Sequence, residues 1–109
     1  MNDTEFHARA KAILDAIEAQ ADVWFEDLDL DVETARQGNV LNMTFENGHQ
    51  LVINSQAPLH EMWLAARSGG FHYRFDGQHW KDTRGGPDLH DALSKICSDA
   101  TGQNLQVRL

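Results

Sequence analysis

The chain is 109 residues long with a net charge of −8, 41% apolar residues, one cysteine and two prolines. That length suits one domain, 1–109, which buries roughly two thirds of its unfolded surface and leaves no room for a second. The longest apolar run, Met62 to Ala66, falls far short of the roughly 18 residues that cross a bilayer, and a lone Cys97 excludes an internal disulfide, a CxxC metal site and a redox pair.

The opening Met1-Asn2-Asp3-Thr4-Glu5-Phe6 has neither a basic nor an apolar leader region, so no targeting peptide is expected and a reducing cytoplasm is the expected compartment. Residues 1–33 hold ten acids against Arg9 and Lys11, while residues 34–109 balance seven acids with seven bases. The first third therefore carries the whole net charge. Such a field repels phosphate backbones, which disfavours nucleic acid, and attracts cations or a basic protein surface.

Phe6, Ala10, Ile13, Leu14, Ile17, Ala21 and Trp24 recur at spacings of three and four, predicting an amphipathic helix from about residue 4 to 23. Lys11, Asp15, Glu18, Asp22 and Glu26 fall together on a second helix face. Leu28-Asp29-Leu30-Asp31-Val32-Glu33 then alternates apolar and acidic residues, predicting a half-buried strand with Asp29, Asp31 and Glu33 on its solvent side. Residues 34–39 read as a loop.

Val40 to Phe45 and His49 to Asn54 flank Asn47-Gly48, the signature of a hairpin with a type I′ turn. Two or three further strands follow, through Met62 to Ala66, Phe71 to Phe75 and, past Asp76-Gly77, Trp80. Gly85-Gly86-Pro87-Asp88 ends the sheet and opens a second helix, with Asp88 as its N-cap, a stripe of Leu89, Ala92, Leu93, Ile96 and Cys97, and Gly102 as its stop.

The strand links are too short for parallel crossovers, so the expected architecture is α+β: a two-layer sandwich with two helices on one face of a single antiparallel sheet. With Leu41, Met43, Phe45, Leu51 and Ile53 inward, the open face carries Asn42, Thr44, Val52, Asn54, Gln56 and Trp63. A tryptophan among amides is interface-like composition.

Carboxylates three or four apart on a helix, beside others two apart on a strand, offer hard oxygen ligands that suit hard cations bound weakly. They match no EF-hand loop. Like charges so arranged cost a few tenths of a kcal/mol per pair, so the clustering points to a role in binding a cation or a basic partner. His7, four residues after Asp3, can share a metal with it; His49, His60, His72, His79 and His90 lack H-x-x-x-H spacing, and no structured zinc site is expected of them. No serine or cysteine stands in a nucleophile motif and no glycine-rich loop precedes a helix, so no enzyme is expected.

The chain resembles the bacterial frataxins, the CyaY family, over nearly its whole length. The resemblance lies in Met1 to His7, in the acidic helix end and strand, in Leu41 to Gly48, and most densely in Ile53-Asn54-Ser55-Gln56-Ala57-Pro58-Leu59-His60-Glu61-Met62-Trp63-Leu64-Ala65 and Gly69-Gly70-Phe71-His72-Tyr73. It implies the same α–β sandwich and a regulatory, non-catalytic role in iron–sulfur cluster biogenesis, with at most weak ferroxidase-like oxidation. The implied cargo is ferrous or ferric iron held weakly at surface carboxylates, without an organic cofactor. The implied partners are the cysteine desulfurase and the cluster scaffold machinery, and a monomer is expected without metal.

Carried over by motif, Glu18, Asp22, Asp29, Asp31 and Glu33 match the family's acidic ridge, for metal and for partner alike, and Asp3 and His7 match a further metal-contacting cluster. Asn54, Gln56 and Trp63 match the sheet surface that meets the assembly machinery. Ala19 and Val23 stand where relatives carry paired acids, thinning the ridge, and Glu26 is added to the metal set as partial compensation, with Asp27 beside it, both expected in a turn. The alternative implied role is an iron store or ferroxidase that oligomerises around metal.

Overall fold

A computed structural model describes residues 1–109. In chain order the elements are α1 (Asp3–Leu28), β1 (Val32–Gln37), β2 (Val40–Phe45), β3 (Gln50–Gln56), a short 3-10 turn (Ala57–Leu59), β4 (Glu61–Ala66), β5 (Gly69–Phe75), β6 (Trp80–Asp82) and α2 (Leu89–Thr101). The six strands form one sheet in sequential order, every neighbouring pair antiparallel. The helix stripe of α1, from Phe6 to Trp24, packs in one core with Leu41, Met43, Phe45, Leu51 and Ile53 of the sheet and Leu89, Leu93 and Cys97 of α2. This is the expected α+β sandwich. No helix is long and apolar enough to cross a membrane.

Helix α1 starts on Asn2, whose side chain accepts from the Glu5 N–H at 2.8 Å, and runs five residues beyond the expected end. Its apolar stripe ends on Trp24, and the turn that seats this ring continues to Leu28. Asp29 closes the helix in the left-handed conformation at φ 53°, one of the few non-glycine residues that tolerate it. Its N–H and that of Leu30 both return to the Trp24 carbonyl, a Schellman-like closure.

The expected strand at 28–33 is therefore displaced: Leu28 is helical and half exposed, and pairing begins only at Val32. Residues 34–37, expected in a loop, are the rest of β1, and the chain reverses at Gly38-Asn39 with φ 61° at Gly38. The edge strand lacks apolar alternation and is held by backbone pairing to β2, from Val32 opposite Phe45 to Gln37 opposite Val40.

The turn at Asn47-Gly48 is also corrected. Positive φ occurs at Gly48 alone, the Gly48 N–H donates to the Phe45 carbonyl at 2.9 Å, and the Phe45 N–H donates to His49 O at 2.8 Å. This is a three-residue turn with a glycine bulge rather than type I′. Asn47 is freed to donate its amide to Ala100 O of α2 at 2.7 Å, tying the hairpin to the helix layer.

Gly102 ends α2 with φ 72° as expected, and Cys97 is buried, its thiol pushed up to about 12 by burial. Asp88 occupies the N-cap position of α2, yet its side chain makes no cap hydrogen bond. Beyond Gly102 the chain runs extended along α2: Leu105 N–H donates to Ser98 Oγ at 2.9 Å, Val107 N–H to Ser94 Oγ at 2.8 Å, and both apolar side chains are buried. The sequence reading assigned nothing to this strap.

Candidate functional sites: an acidic helix end and a tryptophan patch

Two surfaces gather the expected residues. The first begins on the acidic face of α1, where strand alternation from buried Val32 turns Arg36 toward the helix layer. Arg36 Nη1 donates to Asp15 and to Glu18, the latter at 2.8 Å, and Lys11 Nζ donates to Asp15 at 2.7 Å. Hydrogen bonds from Lys11 first and Arg36 second hold the Asp15 carboxyl below the usual carboxylate range. The Glu18 and Asp15 carboxylates in turn hold the guanidinium charged. Glu18, expected as a metal and partner residue, thus already has a cation.

Farther along, the balance changes. Asp22, Glu26, Asp27, Asp29, Asp31 and Glu33 are exposed and none has a basic side chain within ion-pair distance. Glu26 and Asp27, expected in a turn, lie in the last turn of α1, which contains no basic residue. The helix macrodipole is negative at that end, where each acid costs typically 0.3–1 kcal/mol and a base would stabilise. Asp29, Asp31 and Glu33 do not share one strand face, because they occupy a helix cap, a connecting link and the first exposed position of β1.

No three ridge carboxylates bring ligand atoms within 4.8 Å of one another. The ridge is therefore a field of hard oxygens, not a preformed cage. Exposed Phe25, Val23 and Leu28 lie among the acids, so the same end offers apolar contact beside its charge.

Asp3 meets His60 and not His7: His60 Nε2 is 2.6 Å from Asp3 Oδ1. His60 sits at φ 51° closing the 3-10 turn, and its ring stacks on Phe6 at 4.9 Å. His7 is exposed and meets Phe6 edge-on at 5.9 Å.

The second surface is the open face of the sheet. Asn54 lies opposite Trp63, Gln56 opposite Glu61, Trp63 opposite His72 and Glu61 opposite Arg74. Gln56 Nε2 donates to Asn54 Oδ1 at 2.7 Å. Trp63 stacks on the His72 ring at 4.2 Å and 4°, and its Nε1 donates to Glu61 Oε1 at 2.9 Å. Arg74 Nε donates to Glu61 Oε2 at 2.7 Å, with His72 Nδ1 at 3.6 Å from the same carboxylate.

Glu61 is 4% exposed. Burial alone would raise its pKa, but the hydrogen bonds from Trp63 and Arg74 and the charge of Arg74 hold it below the usual carboxylate range. The result is an indole held in a polar frame by its own neighbours. The structure places the expected Asn54, Gln56 and Trp63 on this face together, with Glu61, His72 and Arg74, which were not among the expected site residues, beside them. Outward positions of β4 and β5 were the available signal, but only the strand register brings them together.

The comparisons agree with this geometry. A family model described as a frataxin-like domain matches residues 1–103. The iron–sulfur cluster assembly protein CyaY of Bordetella parapertussis is 61% identical over 109 residues, covering all of both chains. Among solved structures, frataxin from Psychromonas ingrahamii superposes with TM-score 0.85 at 32% identity over all of both chains. Trimeric yeast frataxin complexed with ferrous iron does so with TM-score 0.73 at 25% identity over 86% of each. With the same fold, 61% identity to the bacterial relative along the whole of both chains and a family match over nearly all its length, the chain belongs to the frataxin family, among its bacterial CyaY members.

Proposed function

We propose that this protein is an iron-binding accessory protein of iron–sulfur cluster assembly that docks its acidic helix end on a basic surface of the cysteine desulfurase and tunes assembly to iron supply. The observation that carries this reading is the concentration of six unpaired carboxylates, Asp22, Glu26, Asp27, Asp29, Asp31 and Glu33, at the negative end of α1. A cation placed there relieves both the mutual repulsion and the opposition to the helix dipole. Kinship to the Bordetella assembly protein supplies the pathway, and kinship to yeast frataxin complexed with ferrous iron supplies the cargo.

Iron and desulfurase draw on the same carboxylates. Iron held there neutralises the field that attracts the partner, so metal loading and docking oppose one another. Trp63, with Asn54 and Gln56, supplies the shape-specific contact to the rest of the machinery, as a preorganised aromatic anchor does. Weak, water-retaining coordination suits an ion that must be given up.

The test is binding of the purified chain to a bacterial cysteine desulfurase at about 50 mM and about 500 mM salt, with and without anaerobic ferrous iron. Saturable binding that weakens with salt and with iron is expected. Salt-independent binding, or none, overturns the docking mechanism. The trimer of the yeast relative favours a second reading, an iron store or ferroxidase that assembles around metal. Oxygen consumption above the buffer rate on ferrous loading, together with larger species, would move that reading first.

A further inference from the structure

The one place where three metal-ligating side chains converge lies away from the ridge. His79, Asp88 and His90 each offer a ligand atom, and these atoms all lie within 4.8 Å of one another. They come from two elements that the fold packs together. His79 ends the turn between β5 and β6, where its N–H donates to Asp76 Oδ1 at 2.8 Å. The next residue, Trp80, is buried and paired with Phe75, which pins the turn. Asp88 and His90 stand at the start of α2. The two imidazoles face each other with centroids 5.7 Å apart and a tilt of 38°.

A second observation concerns Asp88. An aspartate at an N-cap ordinarily accepts from its own helix, but this one does not. Its carboxylate instead receives Lys81 Nζ at 3.2 Å, so it already serves as a cation acceptor beside the two rings. Asp91 Oδ1 lies 3.4 Å from His90 Nε2, where it can hold that ring. His79 and His90 also line a cleft of about 230 Å³ with Ile13, Phe75 and Trp80.

We propose that His79, Asp88 and His90 form a second metal site that takes a zinc-class divalent transition ion. Two imidazoles and one carboxylate are the donor set of that class, whereas calcium and magnesium prefer oxygen alone. Ligands at roughly 2.0–2.2 Å from a tetrahedral ion stand about 3.4 Å apart, so the observed spacing closes by rotation of side chains that are exposed or only half-buried. Three protein ligands leave at least one position for water or a small ligand. The ion displaces Lys81 from Asp88. None of the ridge residues contributes, and the α1 residues nearest the cleft precede Asp22 by nine or more positions, roughly 14 Å along the helix axis.

The test uses the full chain with zinc chloride, titrated against a chromophoric chelator and followed by the ring signals of its six histidines in NMR. The His79 and His90 rings are expected to shift first, at less than one zinc per chain. His79→Ala with His90→Ala should weaken the tightest site at least tenfold, and Lys81→Gln should strengthen it severalfold by removing the competing ammonium. Asp29→Asn with Asp31→Asn and Glu33→Gln should leave it unchanged. Unmoved His79 and His90 rings at saturating zinc, or undiminished affinity in the double variant, overturn the proposal. Should that variant fail to fold, the ring shifts of the unaltered chain decide.

Discussion

Replacing Asp29, Asp31 and Glu33 by Asn, Asn and Gln removes three of the six unpaired carboxylates at the end of α1 without touching a buried side chain. A partner cation about 7 Å from each carboxylate is attracted by about 0.6 kcal/mol at the dielectric of water. At about 50 mM salt the screening length is roughly 14 Å, which leaves about 0.35 kcal/mol per charge and about 1 kcal/mol for three. At about 500 mM it falls to roughly 4 Å, and the three together keep about 0.3 kcal/mol. The variant should therefore bind the desulfurase about sixfold more weakly at low salt and less than twofold more weakly at high salt, with most of the loss in the association rate. Stopped-flow or surface-based kinetics at both salt concentrations reads this directly. Equal losses at the two salts would mean that the carboxylates act through specific short-range contacts. No loss at either would mean that the ridge is not the docking surface.

Leu105→Ala should destabilise the fold by about 2–4 kcal/mol, since Leu105 is 3% exposed and its backbone is held on Ser98; a urea midpoint shift worth less than 0.5 kcal/mol would show that the strap adds little. Cys97 should resist alkylation at pH 8 in the folded protein and react on unfolding, because burial pushes its thiol up to about 12; fast labelling under native conditions refutes the packing. Glu61, held below its ordinary value of 4.5 in the folded chain, contributes stability that is present above that value and lost as the pH falls through its lower folded value. Glu61→Gln should flatten the fall in urea midpoint below about pH 4.5, relative to the unaltered chain; parallel acid limbs would deny the Trp63–Glu61–Arg74 cluster that role.

What was legible in the sequence was whatever burial writes locally. The α1 stripe from Phe6 to Trp24 and the inward sets Leu41, Met43, Phe45 and Leu51, Ile53 were readable because period 3.6 and period 2 are imposed by the core they face. The start of β1 was not. Leu28-Asp29-Leu30-Asp31-Val32 satisfies a strand pattern, and the competition with the helix is decided by Asp29 taking the left-handed cap and returning to Trp24. Arg36 was unreadable as the partner of Glu18 while residues 34–37 read as a loop. Asp3 with His60, and His79 with His90, are joined only by how a turn packs on a helix, which no local spacing records.

Arg36 divides the acidic surface into two halves with different histories. On the sheet-facing half it binds Asp15 and Glu18 together, and those acids serve the fold, although surface pairs, even partly buried ones like these, contribute only about 0–1 kcal/mol. Beyond Glu18 the charges serve nothing within the chain. They oppose the helix dipole and one another, and a single lysine in the last turn of α1 would relieve both. A fold held only to stability tends toward that lysine, yet the last turn carries Glu26 and Asp27 and no base. The free half is also where the backbone is settled by the Asp29 cap, Leu30 and Val32 rather than by the carboxylates. Charge there can vary without cost to the architecture, and its uniform sign is the feature that the proposed binding of iron and of a basic partner surface accounts for.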